Sequence, residues 1–302
     1  MPGRSLGAWI MDQIADPMVH RRRLRTQLKE ARLRLGLTQM QVAADLGWSA
    51  SKLLRVENGK VGVSRTDLKA LLNCYGITDE RETAELVRMA EQGRKQRWSA
   101  YRDVLNPEFF RYLEYEGSAN VIRQFQPHFI PGLLQTESYT RALNLVTAPH
   151  TPSHTLDRQM EVRAHRRRML EEPHSARLHV LLDESAVRRW DWSEPATAAI
   201  MHEQFAHLKT LALLPSIIIQ VIPFKAGPYR GMTSSFILLS FPDADDNDLL
   251  FRESGSDSVT SQNDVRKSAE VASLFEDLTA IATPPTALGD FLHRIADEEA
   301  RS

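Results

Sequence analysis

The chain has a single cysteine, Cys74, which excludes an intramolecular disulfide and leaves no Cys-rich spacing for a zinc finger. Cys74 lies in the apolar run LKALLNCYGI and reads as a small core residue. No stretch of eighteen apolar residues occurs, SIIIQVIPF being the longest candidate, so no membrane-spanning helix is expected. The opening MPGRSLGAWIMDQIADP has an apolar patch, AWIM, too short for a signal h-region and followed at once by Asp12 and Asp16. A cytoplasmic location is expected. G-x-S-x-G occurs only as GRSLG at residues 3–7, outside any β-rich run, and there is no phosphate loop and no G-x-G-x-x-G after a strand. MHEQFAH invites comparison with a zinc-protease motif, but His202 and His207 are five apart instead of four. At 100° per residue that sets them about 140° apart around a helix, where they cannot share a metal. No catalytic residue, metal ligand or cofactor is expected, and the chain does not read as an enzyme.

Net charge is also nearly absent, at -1 for 302 residues. The balance is nevertheless +8 over residues 1–102 and -9 over residues 103–302. Between residues 20 and 78 there are 12 Lys+Arg against only Glu30, Asp45, Glu57 and Asp67. One basic module joined to an acidic one is the footprint expected when one domain faces phosphates and the other does not.

In the basic part, RRRLRTQLKEARLRLG places Leu24, Leu28, Ala31 and Leu35 on one helical face, and Gly36 ends the helix. A second helix starts after Thr38, an N-cap, and runs through Val42, Ala43 and Leu46 to Gly47. A third is capped by Ser49 and ends at Asn58-Gly59; a fourth is capped by Ser64; a fifth follows Thr78. Five short helices make an all-α domain over residues 20–98, after an extension over 1–19 and before a junction over 99–106. Residues 107–302 alternate helical windows with short β-rich ones, NVIRQF, RLHVLL, SIIIQVIPF, SFILLSF and DLLFRES. They read as a larger α+β domain. The last three strands leave no room for an intervening helix, so antiparallel pairing, and a mainly antiparallel sheet, are expected. DADDND reads as an acidic loop between strands.

Within the basic domain Gly47 supplies a turn that tolerates positive φ, and Ala43 is small where two helices cross. Leu53 and Val56 point to the core with Val42 and Leu46, leaving Ala50, Ser51, Lys52, Leu54 and Arg55 outward on a helix that can enter a major groove. A helix-Gly-helix can equally be a bundle corner, and RRRLR a solvated face, but charge, caps, small residues and glycines agree on a DNA reader. Residues 20–78 resemble the Cro/phage-repressor (XRE) helix-turn-helix family, Arg32 to Lys60 aligning without a gap through the run ENGK. The resemblance implies that Gln39 grips a DNA phosphate and that Ala50, Ser51 and Arg55 face base edges. It implies backbone contacts for Asn58 and Lys60, and an ion pair between Glu57 and Arg32. Ser49, the cap of the third helix, is counted with the DNA-binding group. The base-facing glutamines of the lambdoid repressors are here Ala50, Ser51 and Arg55, so their operator does not carry over. Arg55 is the candidate for direct readout, its guanidinium fork matching guanine N7 and O6. Ser51 is ambiguous as to base and Ala50 can touch a thymine methyl, while Lys52, Lys60, Gln39 and Arg21-Arg22-Arg23 would serve the phosphate backbone.

The segment EGSANVIRQFQPHFIPGLLQTESYTRAL, with later DRQMEVRAHRRRML, HVLLDESAV and SFILLSF, resembles the C-terminal domain of actinobacterial (Streptomyces) WhiJ-like regulators. The resemblance implies a transcription factor of development or secondary metabolism, often encoded beside a small partner protein that antagonises it in an antitoxin-like arrangement. From the residues themselves, Pro131-Gly132 fits a type II turn and Thr136 caps a helix from Glu137. Leu133, Leu134 and Tyr139 read as core, with a ligand role for PGLLQT the lesser reading. Asp183 and Glu184 follow a strand, as a helix cap or as acids. Arg166-Arg167-Arg168 could hold an acidic ligand or DNA, and reads first as the wet side of a helix.

The expected protein is a sequence-specific regulator, homodimeric on a double-stranded palindromic operator at the nucleoid, because one recognition helix covers few base pairs. Its acidic domain would bind a small protein encoded nearby or a small-molecule effector. The competing reading is an antitoxin-like module that sequesters its partner and binds DNA mainly for autoregulation.

Overall fold

The computed structural model describes residues 17–57, 63–94, 98–171, 176–241, 247–253, 259–262 and 265–301. The chain forms two compact units, one up to Ser99 and one from Ala100.

Among the described residues the first unit has five helices: α1 (Pro17–Arg34), α2 (Gln39–Asp45), α3 (Ala50–Glu57), α4 (Arg65–Cys74) and α5 (Glu80–Arg94). Leu24, Leu28, Ala31, Val42, Ala43, Leu53, Val56, Leu68, Leu71, Leu72 and Leu86 share one core, with Cys74 packed partly buried against it. Leu35 departs from the expected face and is 51% exposed. α1 has already ended at Arg34, and the chain turns through Gly36 at φ +66°, so the 3.6-residue period no longer aims Leu35 inward. The α2–α3 turn has the same design. The Trp48 amide donates to the Ala43 carbonyl at 2.8 Å and the Gly47 amide to Ala44 at 3.1 Å, with Gly47 at φ +65°. Those two bonds satisfy carbonyls a helix end leaves open, and a residue with a Cβ would be strained there.

The second unit is an α+β arrangement. Its helices are α6 (Pro107–Glu116), α7 (Glu137–Thr147), α8 (Ser153–Glu171), α9 (Glu184–Arg188), α10 (Pro195–Leu211), α11 (Val265–Ile281) and α12 (Leu288–Glu299). Its strands are β1 (Val121–Gln126), β2 (Arg177–Asp183), β3 (Ile217–Ile222), β4 (Phe236–Ser240), β5 (Leu249–Glu253) and β6 (Val259–Gln262). They form one mixed sheet in the order β3-β2-β1-β4-β5-β6. β1–β2 and β2–β3 are parallel; β1–β4, β4–β5 and β5–β6 are antiparallel. Phe125, Leu181, Phe236, Leu238 and Leu250 pack against Val271, Leu274, Phe275 and Leu278 of α11. Alternation puts Leu178, Val180 and Leu182 on the other face, also buried, so β2 is covered on both sides, as parallel strands are.

One expected pairing is corrected. β3 and β4 are neighbours in sequence but not in the sheet. β3 is an edge strand beside β2, and β4 lies beyond β1. The connection from Pro223 to Ser235 is long enough to cross two strands, about 14 Å at normal spacing, and β3 pairs instead with the buried strand β2, in parallel. The free edge of β3 is closed by Thr283, whose amide donates to the Val221 carbonyl at 2.8 Å and whose Oγ1 accepts from the Val221 amide at 3.1 Å. The β6 strand, VTSQ, has no apolar alternation to announce it, and α9 is one short turn after β2.

Candidate DNA-binding site

α2 is started by a capping box. The Thr38 hydroxyl accepts from the Gln41 amide, and Gln41 Oε1 accepts from the Thr38 amide at 2.8 Å. That fixes the direction of α2 and so the place of Gln39 at its first residue. α3 opens at Ser49, whose hydroxyl accepts from the Lys52 amide at 3.2 Å. Leu53, Val56 and Glu57 are its buried residues, three and four apart, as one helix face requires. Ala50, Ser51, Leu54 and Arg55 are exposed on the other side.

The buried end of α3 carries a charge. Glu57 Oε1 lies 2.8 Å from Arg32 Nε, and Tyr75 donates its hydroxyl to the same oxygen at 2.8 Å. Gln39 Nε2 donates to Oε2 at 2.7 Å, and the Arg32 Nη1 donates to the Leu37 carbonyl at 2.8 Å. α1, α2, α3 and the end of α4 thus meet at one carboxylate. Burial pushes the Glu57 pKa up, but the hydrogen bonds from Arg32, Gln39 and Tyr75 outweigh it and hold the group below its ordinary value. The Tyr75 phenol is pushed up, first by burial and then by its bond to that carboxylate. Tyr75 was missed in the sequence; a tyrosine at the end of α4, next to a glycine in positive φ, was the available sign.

The outward groups are arranged differently from one another. Arg55 Nε donates to the Ser51 carbonyl one turn back at 3.2 Å, while its terminal nitrogens have no partner among the described residues. The Ser49 and Ser51 hydroxyls share one hydrogen bond at 3.1 Å. Lys52 is half-buried, its Nζ 3.2 Å from Asp67 Oδ2 on α4 and 3.9 Å from the centre of the Trp48 ring. It is therefore the most constrained cation of the face. Asn58 and Lys60 lie outside the described residues, as do the side chains of Arg21 and Arg22. Arg23 is exposed.

In the second unit Arg166 and the Gln135 of PGLLQT lie in buried polar contacts. Arg166 donates through Nε and Nη2 to Glu116 at 2.8 and 2.7 Å, and Tyr112 donates its hydroxyl to Glu116 as well. Arg163 Nη1 donates to Gln135 Oε1 at 2.6 Å, and Thr140 donates to the same oxygen at 2.8 Å. Two expectations are overturned here. Arg166 is buried, not on the wet side of α8, because a carboxylate from α6 meets it there; Arg167 is half-buried and only Arg168 is exposed. Gly132 does not sit at the positive-φ position of a type II turn; it begins a 3-10 turn, Gly132–Leu134. Its glycine identity answers to space, since a Cβ would stand 3.2 Å from Arg163 Nη1. Leu133, Leu134 and Tyr139 are core, and Thr136 caps α7 through the Tyr139 amide. Asp183 caps α9 by accepting from the Ser185 amide at 2.8 Å. His202 packs edge-on against Trp192, and no group of three metal-ligating side chains is found among the described residues. Nor is any helix among them long and apolar enough to cross a membrane.

Comparison with known proteins places two family models on the chain. A helix-turn-helix domain matches residues 23–86, which run from α1 into α5, and a domain of unknown function, DUF5753, matches residues 109–294. No curated protein and no solved structure matches.

Proposed function

Given that the chain belongs to the family of the DUF5753 domain and carries a helix-turn-helix domain ahead of it, we propose a sequence-specific transcriptional regulator that binds a palindromic operator as a homodimer. The helix-turn-helix domain makes the chain a DNA-binding regulator; the symmetry, the operator and the regulation are the proposal. The observation that carries it is the division of α3. Leu53, Val56 and Glu57 anchor one face, and the other presents Ser51 and Arg55 to a groove with no carboxylate paired to Arg55 among the described residues. Arg55 would read a guanine, Ser49, Ala50 and Ser51 would line the base edges, and Gln39, Lys52, Asn58 and Lys60 would hold phosphates. Domains over 20–98 and 107–302 would divide the work, the second serving as regulatory surface for a small protein encoded nearby or a small effector. Its acidity supports that split, since it disfavours its own contact with DNA. A WhiJ-like role at the nucleoid of an actinobacterium accords with the two-domain order.

Selection of bound fragments from sheared genomic DNA by the full chain tests this reading. Enriched sites should be inverted repeats with half-site centres about one helical turn apart, or a multiple of it. Sites without two-fold symmetry would remove the dimer, and no enrichment over bulk DNA would remove the reading itself.

A further inference from the structure

The parallel strands β1, β2 and β3 all end on the same side of the sheet, Gln126 opposite Leu182 and Asp183 opposite Ile222. The segments leaving those three ends line one cavity of about 410 Å³: His128 after β1, Arg189 beyond β2, and Phe224 after β3, with Tyr229 and Met232 from the connection that crosses to β4. That connection has to pass over the ends of β2 and β1, because β4 lies beyond them. It thereby roofs the crevice outside the carboxyl ends of parallel strands, the position where open sheets with parallel strands bind ligands. The volume lies in the range of small-molecule sites.

The walls say what kind of ligand fits. Pro127, Pro223 and Pro228 offer no N–H donors, and Phe224 is 57% and Met232 44% exposed, large apolar groups left facing water. The Phe224 backbone is nonetheless fixed, its amide donating to the buried Glu184 at 2.7 Å. Asp183 is committed within the wall, accepting from the Ser185 amide and from the Tyr229 hydroxyl. The two adjacent arginines contrast: Arg188 is taken up by Glu184, Glu298 and Glu299, whereas Arg189 forms no ion pair among the described residues, Asp183 being the carboxylate that lines the cavity with it. The cavity is an apolar slot with one uncommitted guanidinium at its rim.

We propose that this cavity is the effector site of the DUF5753 domain and takes a small organic carboxylate, its apolar body against Phe224 and Met232 and its carboxylate on Arg189. The inference rests on the regulatory reading for its purpose; its geometry stands apart from it. The test uses the full chain with benzoate, 4-phenylbutyrate and octanoate, each beside its neutral amide, by calorimetry and ligand-observed NMR. At least one acid should bind with Kd below about 1 mM, its amide about tenfold weaker or more. Arg189→Gln should erase the difference between acid and amide, and Phe224→Ala should weaken both; each side chain is exposed, so neither change threatens folding. No binding by any of the three acids, equal binding of acid and amide, or binding indifferent to Arg189→Gln overturns the proposal. Binding of the same preparations to genomic DNA separates the two readings. DNA binding without acid binding removes only the cavity, and acid binding without DNA binding removes only the regulator.

Discussion

Gln39 donates its side-chain amide to Glu57, 2.7 Å from Nε2 to Oε2, so the residue that opens α2 is held by the residue that closes α3. Through Arg32 and Tyr75 the same carboxylate reaches α1 and α4. The relative placement of α2 and α3 therefore depends on a single buried charge.

Removing that charge should be costly. Glu57→Ala leaves the Arg32 guanidinium buried without its partner, and should destabilise the helical unit by about 3–5 kcal/mol. Arg32→Met with Glu57→Leu should recover most of the loss, because two apolar groups of similar volume need no counter-charge. Chemical denaturation of the single and double variants measures both. The pH dependence follows from the lowered Glu57 pKa. The unfolded chain takes up the proton first, so the contribution is present above the ordinary value of 4.5 and is lost as pH falls through the lower native value. Acid unfolding of the wild type should be steeper in that window than that of the double variant.

Lys52 is held between Asp67 and Trp48. Asp67→Asn should change stability by about 1 kcal/mol or less, since the pair is partly exposed and Asp67 also sits in the first turn of α4. It should raise DNA affinity severalfold while Lys52 is present and much less in a Lys52→Ala background. Fluorescence anisotropy over the four proteins of that cycle reads the coupling.

Glu116 and Arg166 are both buried and joined by two parallel hydrogen bonds. Glu116→Ala should cost about 3–5 kcal/mol in the second unit, and Arg166→Lys should not be tolerated as a conservative change, because an ammonium cannot reproduce the planar fork. Thermal unfolding followed by near-ultraviolet circular dichroism would register the loss of packing around Tyr112.

Gly132→Ala should destabilise by about 1–3 kcal/mol although its backbone suits any residue. The new Cβ would meet Arg163 Nη1 at 3.2 Å, and that guanidinium is tied to Gln135. Adding Arg163→Ala to the same chain should remove the penalty specific to the new methyl group, leaving the cost of losing Arg163 alone; denaturant midpoints decide it.

The helical unit was legible because its information is local. Thr38, Ser49 and Ser64 cap where the pattern starts, Gly47 turns where it stops, and the 3.6-residue period of Leu68, Leu71 and Leu72 is uninterrupted. Where the period runs past the helix end, as at Leu35, it misleads. The second unit is held by contacts across long separations that no local pattern encodes. Arg166 looks solvated until Glu116, fifty residues earlier, is brought against it. β3 looks like half of a hairpin until the sheet order puts β2 and β1 between it and β4. The outward side chains of α3 were legible by elimination, since Leu53 and Val56 had to face the core. The commitments of Lys52 to Asp67 and of Gln39 to Glu57 were not, because they depend on how four helices converge.

Genomic footprinting of the wild type beside Arg55→Ala decides whether Arg55 reads a base. The variant should lose base preference at one position in each half-site and keep part of its salt-dependent binding, because the remaining contacts hold phosphates. Unchanged preference at every position, or uniform weakening with the sequence logo intact, would contradict that role.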